Sequence, residues 1–254
     1  MLAAENLTVG YEARDVLADL SVAVPEGRFT VILGPNACGK STLLRTLARL
    51  LKPRGGTVLL DGASIAAQSP RHVATRLAVL PQTPLVPEGV TVAELVGRGR
   101  APYQRWYRQW TTQDGDAVAA ALRSADVADL ADRPVAALSG GQRQRVWIAM
   151  TLAQQTPTLL LDEPTTYLDP AHQLEVLQLL GRLRDEGKTV VAVLHDLNQA
   201  ARYADHVIAM RDGAIVQAGP PRDVITEDLV TRVFGMSCVV VACPVSGAPL
   251  VVTR

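Results

Sequence analysis

The sequence predicts an α/β fold: a parallel β-sheet covered on both faces, with strand-rich sequence at its N-terminal end and a helical stretch inserted in the middle. Three observations carry this. Beyond about residue 158, apolar strands and helical patterns alternate, as they do where crossover helices cover a parallel sheet. Phe29-Thr30-Val31-Ile32-Leu33 is a continuous apolar run of the kind buried on both faces, and a glycine-bearing turn joins it to a helical pattern. Between about Thr91 and Met150 the texture changes to alanine-rich helical sequence.

Taken in order, the first eighty or so residues read as short apolar strands punctuated by turn residues, such as Val22-Ala23-Val24 before Pro25-Glu26-Gly27 and Thr57-Val58-Leu59-Leu60 before Asp61-Gly62. Phe29–Leu33 then leads into the helical spacing of Ser41–Leu47. Helices are expected over Asp116–Leu130 and Gln142–Leu152, with the aromatic and basic segment Tyr103–Trp110 before them. That segment is a candidate contact surface for another protein or for lipid headgroups, with ordinary packing as the alternative. The later strands are Thr158–Leu161, Thr189–Leu194 and His206–Met210, with helices over Ala171–Glu186 and Leu197–Tyr203 between them, and Val239–Val241 and Leu250–Val252 close the chain as late strands. The 254 residues fit one domain with three parts: 1–90, strand-rich and the first portion of the core; 91–152, helical; and 153–254, the rest of the core with its C-terminal strands.

Composition excludes several classes. No apolar run approaches the roughly 18 residues that cross a bilayer. The 25 Lys and Arg residues balance the 25 Asp and Glu, so the net charge gives no nucleic-acid footprint. The N-terminus lacks the basic stretch and apolar core of a secretory signal. Cys38, Cys238 and Cys243 form no metal-type pattern, and an odd count suits reduced thiols in a cytosol. The expected location is therefore cytoplasmic.

Gly34-Pro35-Asn36-Ala37-Cys38-Gly39-Lys40-Ser41, followed by Thr42, matches the phosphate-loop pattern GxxxxGK[ST] between a strand and a helix. In that context the loop's backbone N–H groups and the helix dipole receive phosphate oxygens, Lys40 places a charge on the β- and γ-phosphates, and Ser41 offers a hydroxyl to Mg²⁺. Ala37 stands where glycine is common; its methyl is tolerated unless φ is positive there. Cys38 lies inside the loop, where alkylation would block nucleotide and ATP would protect the thiol; an inert filler is the alternative. The strand Thr158–Leu161 ends in Asp162-Glu163, two carboxylates that a buried strand end does not carry without something cationic to receive them. Asp162 suits the magnesium shell and Glu163 the attacking water.

Leu138-Ser139-Gly140-Gly141-Gln142 directly precedes a helical run, and a serine with two glycines at a helix N-terminus makes an anion site. This segment resembles the LSGGQ signature of the ABC ATPases, and with the other two motifs the resemblance covers essentially the whole chain in the family's order. It implies a P-loop NTPase with a RecA-like core sheet, an N-terminal antiparallel β-subdomain and a helical signature subdomain. It further implies ATP and Mg²⁺ as ligands, and a homodimer in which Ser139, Gly140, Gly141 and Gln142 face the nucleotide held by the other copy. By position in the family pattern, Tyr11 resembles the aromatic that stacks on adenine. Gln82 resembles the glutamine that touches Mg²⁺ or water, and His195 the histidine at the γ-phosphate. Asp169 resembles the loop that crosses the dimer seam.

Arg98–Tyr103, Pro164–Asp169, His195–Ala200 and Pro244–Leu250 are similar to ATPases of ferric-siderophore importers, those of the ferric-enterobactin type foremost, related to those for cobalamin and haem. The implied partners are membrane permease subunits at the cytoplasmic face, a second copy, and indirectly a periplasmic or lipoprotein substrate-binding protein, with no nucleic acid. Cobalamin or haem import and a non-transport ABC ATPase stay open as alternatives. A P-loop kinase has no use for LSGGQ, and an intact Glu163 speaks against a pure binding module.

Overall fold

The computed structural model describes residues 1–12, 14–82, 88–104 and 110–254. In chain order the elements are β1 (Leu2–Tyr11), β2 (Arg14–Val24), β3 (Phe29–Leu33), α1 (Lys40–Leu47), β4 (Gly55–Leu60), β5 (Ala63–Ser64), α2 (Pro70–Arg76), β6 (Leu77–Leu80), α3 (Val92–Gly97), α4 (Thr112–Ser124) and α5 (Gly140–Ala153). They continue with β7 (Thr158–Leu161), α6 (Pro170–Asp185), β8 (Thr189–Val193), α7 (Leu197–Tyr203), β9 (His206–Arg211), β10 (Ala214–Gly219), α8 (Pro221–Val224), α9 (Glu227–Phe234), β11 (Cys238–Ala242) and β12 (Pro249–Thr253).

The central sheet runs in the order β10-β9-β3-β8-β7-β6, parallel except for β10 at its edge. Its strands alternate between two cores with period two, which is why they read as unbroken apolar runs. Phe29, Val31, Leu33, Leu159, Leu161, Val190 and Ala192 join the helical side, with α3 to α7 and α9. Ile32, Leu160, Val191, Val193, Ile208 and Met210 face the other way, onto Leu43, Leu44 and Leu47 of α1. A second, antiparallel sheet in the order β2-β1-β4-β5 closes over α1 through Leu7, Val9 and Leu17. The layers are therefore antiparallel sheet, α1, central sheet, helices, and α1 with its preceding loop sits where the two sheets meet.

The helix expected over Asp116–Leu130 begins earlier and breaks sooner than the pattern of alanines predicts. A capping box on Thr111 and Asp114 starts α4 at Thr112, and Asp126 in the left-handed region (φ 55°) ends it, leaving Ala128–Leu130 as a separate 3₁₀ turn. The 3₁₀ segment Arg98–Tyr103 is anchored by Arg100, which is 2% exposed. Its guanidinium donates to Asp114 Oδ1 (2.9 Å), Ala153 O (2.8 Å) and Gln155 Oε1 (2.9 Å), and stacks 3.9 Å from the centroid of the Tyr103 ring. Residues 105–109 of the aromatic and basic segment lie outside the described residues. The C-terminal strands pair as the hairpin β11–β12, and Asn198 on α7 clamps its second strand, donating to Val251 O (3.1 Å) and accepting from Val251 N (2.7 Å). Among the described residues no helix is long and apolar enough to cross a membrane.

Candidate active site

A cleft of about 480 Å³ opens at the C-terminal end of the central strands, lined by Tyr11, Val16, Asn36, Ala37, Gly39, Lys40, Ser41, Thr42, Gln82, Glu163 and His195. Its floor is the turn from β3 into α1. Gly39 caps α1 at φ 103°, a backbone angle that demands glycine, and a Cβ there would also press on Leu17 Cδ2 of the antiparallel sheet at 2.7 Å. Lys40 is buried, and its ammonium donates to Gly34 O (2.8 Å) and Pro35 O (2.7 Å). An ammonium has three N–H donors, so the loop's own carbonyls orient the group and leave one bond to make.

Ala37 takes the left-handed conformation, φ 62°, so the condition attached to its methyl is not met and the position carries strain that glycine would avoid. Cys38 is 5% exposed and packed among Leu17, Leu43 and Met210 of the inner core. Burial pushes its thiol above the ordinary range, with Lys40 only partly opposing. Both observations favour the inert filler as the reading of this residue.

At the end of β7 the two carboxylates part. Asp162 is 1% exposed: Oδ1 accepts from Ser41 Oγ at 2.8 Å, while Oδ2 is buried without a hydrogen bond, 3.7 Å from Arg45 Nε. Burial raises its carboxyl above the usual range, against the pull of Ser41 and Arg45. An orphaned, buried carboxylate oxygen beside a serine hydroxyl is the donor set of a small hard cation that keeps part of its water shell, and these residues fit Mg²⁺.

Glu163 turns the opposite way through φ 54° and brings its carboxylate to the mouth of the cleft. His195 Nε2 lies 2.8 Å from Oε1, while Gln82 Nε2 (2.7 Å) and Thr166 Oγ1 (3.0 Å) donate to Oε2. Burial pushes this carboxyl up, but His195, Thr166 and Gln82 outweigh it and hold it below the usual range. Thr166 was not among the predicted site residues; its signal was a hydroxyl three positions after Glu163, and a turn from Thr166 N to Glu163 O brings it round. Val16 and Arg45 were also missed, having no motif of their own. Tyr11, 46% exposed, forms one edge of the cleft.

Ser139, Gly140, Gly141, Gln142 and Asp169 do not line this cleft. Ser139 caps α5 with Gln142 in a reciprocal box, and Asp169 caps α6, its side chain accepting from His172 N (3.0 Å) and lying 2.7 Å from His172 Nδ1. The two glycines differ. A Cβ on Gly140 meets nothing nearer than Leu168 Cδ2 at 4.0 Å, whereas one on Gly141 would strike the His172 ring at 2.3 Å.

The ABC transporter family matches residues 17–166. The chain is 51% identical over 252 residues to the ferric enterobactin transport ATP-binding protein of Escherichia coli (strain K12), covering 99% of this chain and 93% of that protein. It is 52% identical over 250 residues to the achromobactin transport ATP-binding protein of Dickeya dadantii (strain 3937), with 98% and 93% covered. Among solved structures, an ABC transporter in an inward-facing conformation superposes with a TM-score of 0.85 at 28% identity, over 100% of this chain and 96% of that one. The strand, loop and helix at Lys40, the paired carboxylates and these relatives lead to one conclusion: the chain belongs to the ABC transporter family, as an ATP-binding subunit.

Proposed function

We propose that this subunit hydrolyses ATP to drive import of ferric siderophores through separate membrane permease subunits, at the cytoplasmic face of the membrane. The observation that carries the hydrolytic reading is the Glu163 carboxylate, fixed by Gln82, Thr166 and His195 at the mouth of a cleft floored by the Gly34–Thr42 loop. The cargo reading rests on relatives named for ferric enterobactin and achromobactin transport, about half identical along nearly the whole chain.

In this reading Tyr11 and Val16 flank the adenine, and the loop from Gly34 through Cys38, with Gly39 and Thr42, wraps the phosphates. Lys40 meets the β- and γ-phosphates. Ser41, Asp162 and Gln82 would hold Mg²⁺, which would supply positive charge against the phosphates. Glu163 takes the proton of the attacking water, and His195, against Glu163, orients that water at the γ-phosphate. The transition state is stabilised by placement and charge, with no covalent intermediate on the protein.

The family places a second copy across this cleft. Ser139, Gly140, Gly141 and Gln142 of that copy, with its Asp169 loop, complete each nucleotide site, so ATP binding closes the pair and hydrolysis releases it. The exposure of Ser139 and Gly140 and the open space around Gly140 support this assignment. The permease reads the closure, and a substrate-binding protein on the far side of the membrane delivers the cargo.

The test is uptake of radiolabelled iron, offered as a ferric siderophore, by the source cell carrying this sequence or Glu163→Gln, with labelled cobalamin in parallel. Glu163→Gln is expected to bind ATP, lose hydrolysis by about a hundredfold or more, and abolish iron uptake while cobalamin uptake persists. Unchanged iron uptake overturns the cargo reading, and undiminished hydrolysis overturns the role of Glu163.

A further inference from the structure

His172 belongs to no motif read from the sequence, yet its ring joins the two elements assigned above to the second copy's nucleotide. On one side, Nδ1 lies 2.7 Å from Asp169 Oδ2. An ionised carboxylate only accepts, so Nδ1 carries the proton and the ring's orientation is set by this bond. Asp169 is gripped a second time, since Oδ1 accepts from the His172 backbone N–H at 3.0 Å. These contacts hold the Asp169 carboxyl below its usual range, the backbone bond foremost.

On the other side the ring lies against the first turn of α5. A Cβ built on Gly141 would fall 2.3 Å from His172 Cδ2, 2.5 Å from Cγ and 2.9 Å from Nε2. The second glycine of the signature is therefore required within its own chain, by an imidazole that occupies the space of a side chain. Gly140, with nothing that close, is the one left open toward a ligand. The next residue extends the junction: Gln173 Nε2 donates to Leu168 O (3.0 Å), and Gln173 Oε1 accepts from Gln199 Nε2 (2.7 Å) on α7, the helix that begins just after His195.

We infer that His172 is a positioning residue that locks the Asp169 loop to the N-terminus of the signature helix, so that both reach the second copy's nucleotide as one rigid piece. This rests on the ATP-sandwich reading above. A ring bonded to Asp169 at Nδ1 and packed against Gly141 couples the loop to the helix, so that the two move together when the dimer closes.

The experiment uses the full chain with Glu163→Gln, in which ATP is bound and not turned over, and measures ATP-induced dimerisation by light scattering. His172→Ala, His172→Asn and His172→Phe are added in that background, and ATP affinity is measured separately at protein concentrations too low for dimers. His172→Ala is expected to weaken dimerisation by about tenfold or more, the loss of one hydrogen bond to a charged acceptor, with ATP affinity of the single chain unchanged. His172→Asn keeps an N–H for Asp169 and recovers most of the loss, whereas His172→Phe keeps the ring without the donor and does not. Dimerisation of His172→Ala equal to its parent overturns the inference, as does a parallel loss of single-chain ATP affinity. Where His172→Ala proves too unstable to purify, the Asn and Phe variants decide: equal dimerisation by the two overturns it. Failure of Glu163→Gln alone to dimerise with ATP removes the sandwich reading itself, and the inference with it.

Discussion

Arg100→Met removes a buried guanidinium that donates to three acceptors, Asp114 Oδ1, Ala153 O and Gln155 Oε1, while conserving much of the side chain's apolar stem. Deleting one member of a buried ion pair costs about 3–5 kcal/mol, chiefly because the survivor is left charged and unpaired. The structure selects the lower end. Asp114 keeps two donors on Oδ2, the Thr111 hydroxyl (2.7 Å) and backbone N–H (3.1 Å), and the hydroxyl is the largest influence holding this carboxyl low. Gln155 is exposed, so its amide turns to water. What is lost without replacement is the partner of Asp114 Oδ1 and of one buried carbonyl. For a chain of this size about 3 kcal/mol corresponds to a fall in Tm of about 6–12 °C. Thermal melts by circular dichroism read this directly, and specific ATPase activity at 20 °C should be unaltered because Arg100 lies outside the cleft. Arg100→Met with Asp114→Leu should regain most of the loss, ending about 1 kcal/mol below the parent because the α4 capping box is gone. A single variant within about 2 °C of the parent, under 1 kcal/mol on this scale, would refute the reasoning. A double variant no better than the single one would show that the cost lies elsewhere than in the unpaired carboxylate.

Ala37→Gly should raise Tm by about 2–4 °C, the relief of a left-handed alanine less the extra entropy of glycine in the unfolded chain, about 1 kcal/mol net; a lowered Tm with intact ATP affinity would count against strain at this position. Asn198→Ala removes both bonds to Val251 and should speed amide exchange in Cys238–Thr253 by about tenfold while β3 and β8 stay protected; unchanged exchange would mean that packing alone holds the hairpin.

Local pattern makes most of the core legible, because each central strand is short, apolar and bounded by turn residues. Phe29–Leu33 and Thr158–Leu161 are read to the residue. Boundaries fail where side-chain caps override composition: alanines between 116 and 130 continue a helical pattern through Asp126, and only the backbone shows that this aspartate has left the helix. The site divides the same way. Lys40 announces itself through the GxxxxGK[ST] pattern, and Asp162 and Glu163 because charge at the end of an apolar strand needs a reason. Thr166 and His172 do not, since a hydroxyl or an imidazole beside a turn is ordinary in sequence and acquires meaning only when the fold sets it against Glu163 or Gly141. Arg100 is read through resemblance as part of a subfamily segment, and the structure gives it an architectural task, fastening the 3₁₀ segment to α4 and the end of α5.

Backbone strain separates architecture from chemistry in another way. Among the described residues, most non-glycine positions with positive φ sit where a fold routinely uses them. Glu12, Asp61 and Asp212 turn hairpins, Arg49, Asp126 and Gln155 follow helix ends, and Asn6 and Asp19 lie at irregularities of the β1–β2 ladder. Three have no such reason: Ala37 (φ 62°), Glu163 (φ 54°) and Tyr167 (φ 64°). All three lie in the two loops assigned to the nucleotide, Gly34–Ser41 and Glu163–Asp169. Each such residue costs on the order of 1–3 kcal/mol and persists only where its surroundings over-determine it. For Glu163 the compensation is visible, because the left-handed turn points its carboxylate at Gln82, Thr166 and His195 while Asp162, one residue earlier, points inward at Ser41. An ordinary strand continuation would leave Asp162 on the face of Leu160, toward α1 and Ser41, but would send Glu163 to the opposite face, on the side of the helical core and away from its partners. Strain at Glu163 is thus what lets adjacent carboxylates serve two different tasks in one cleft.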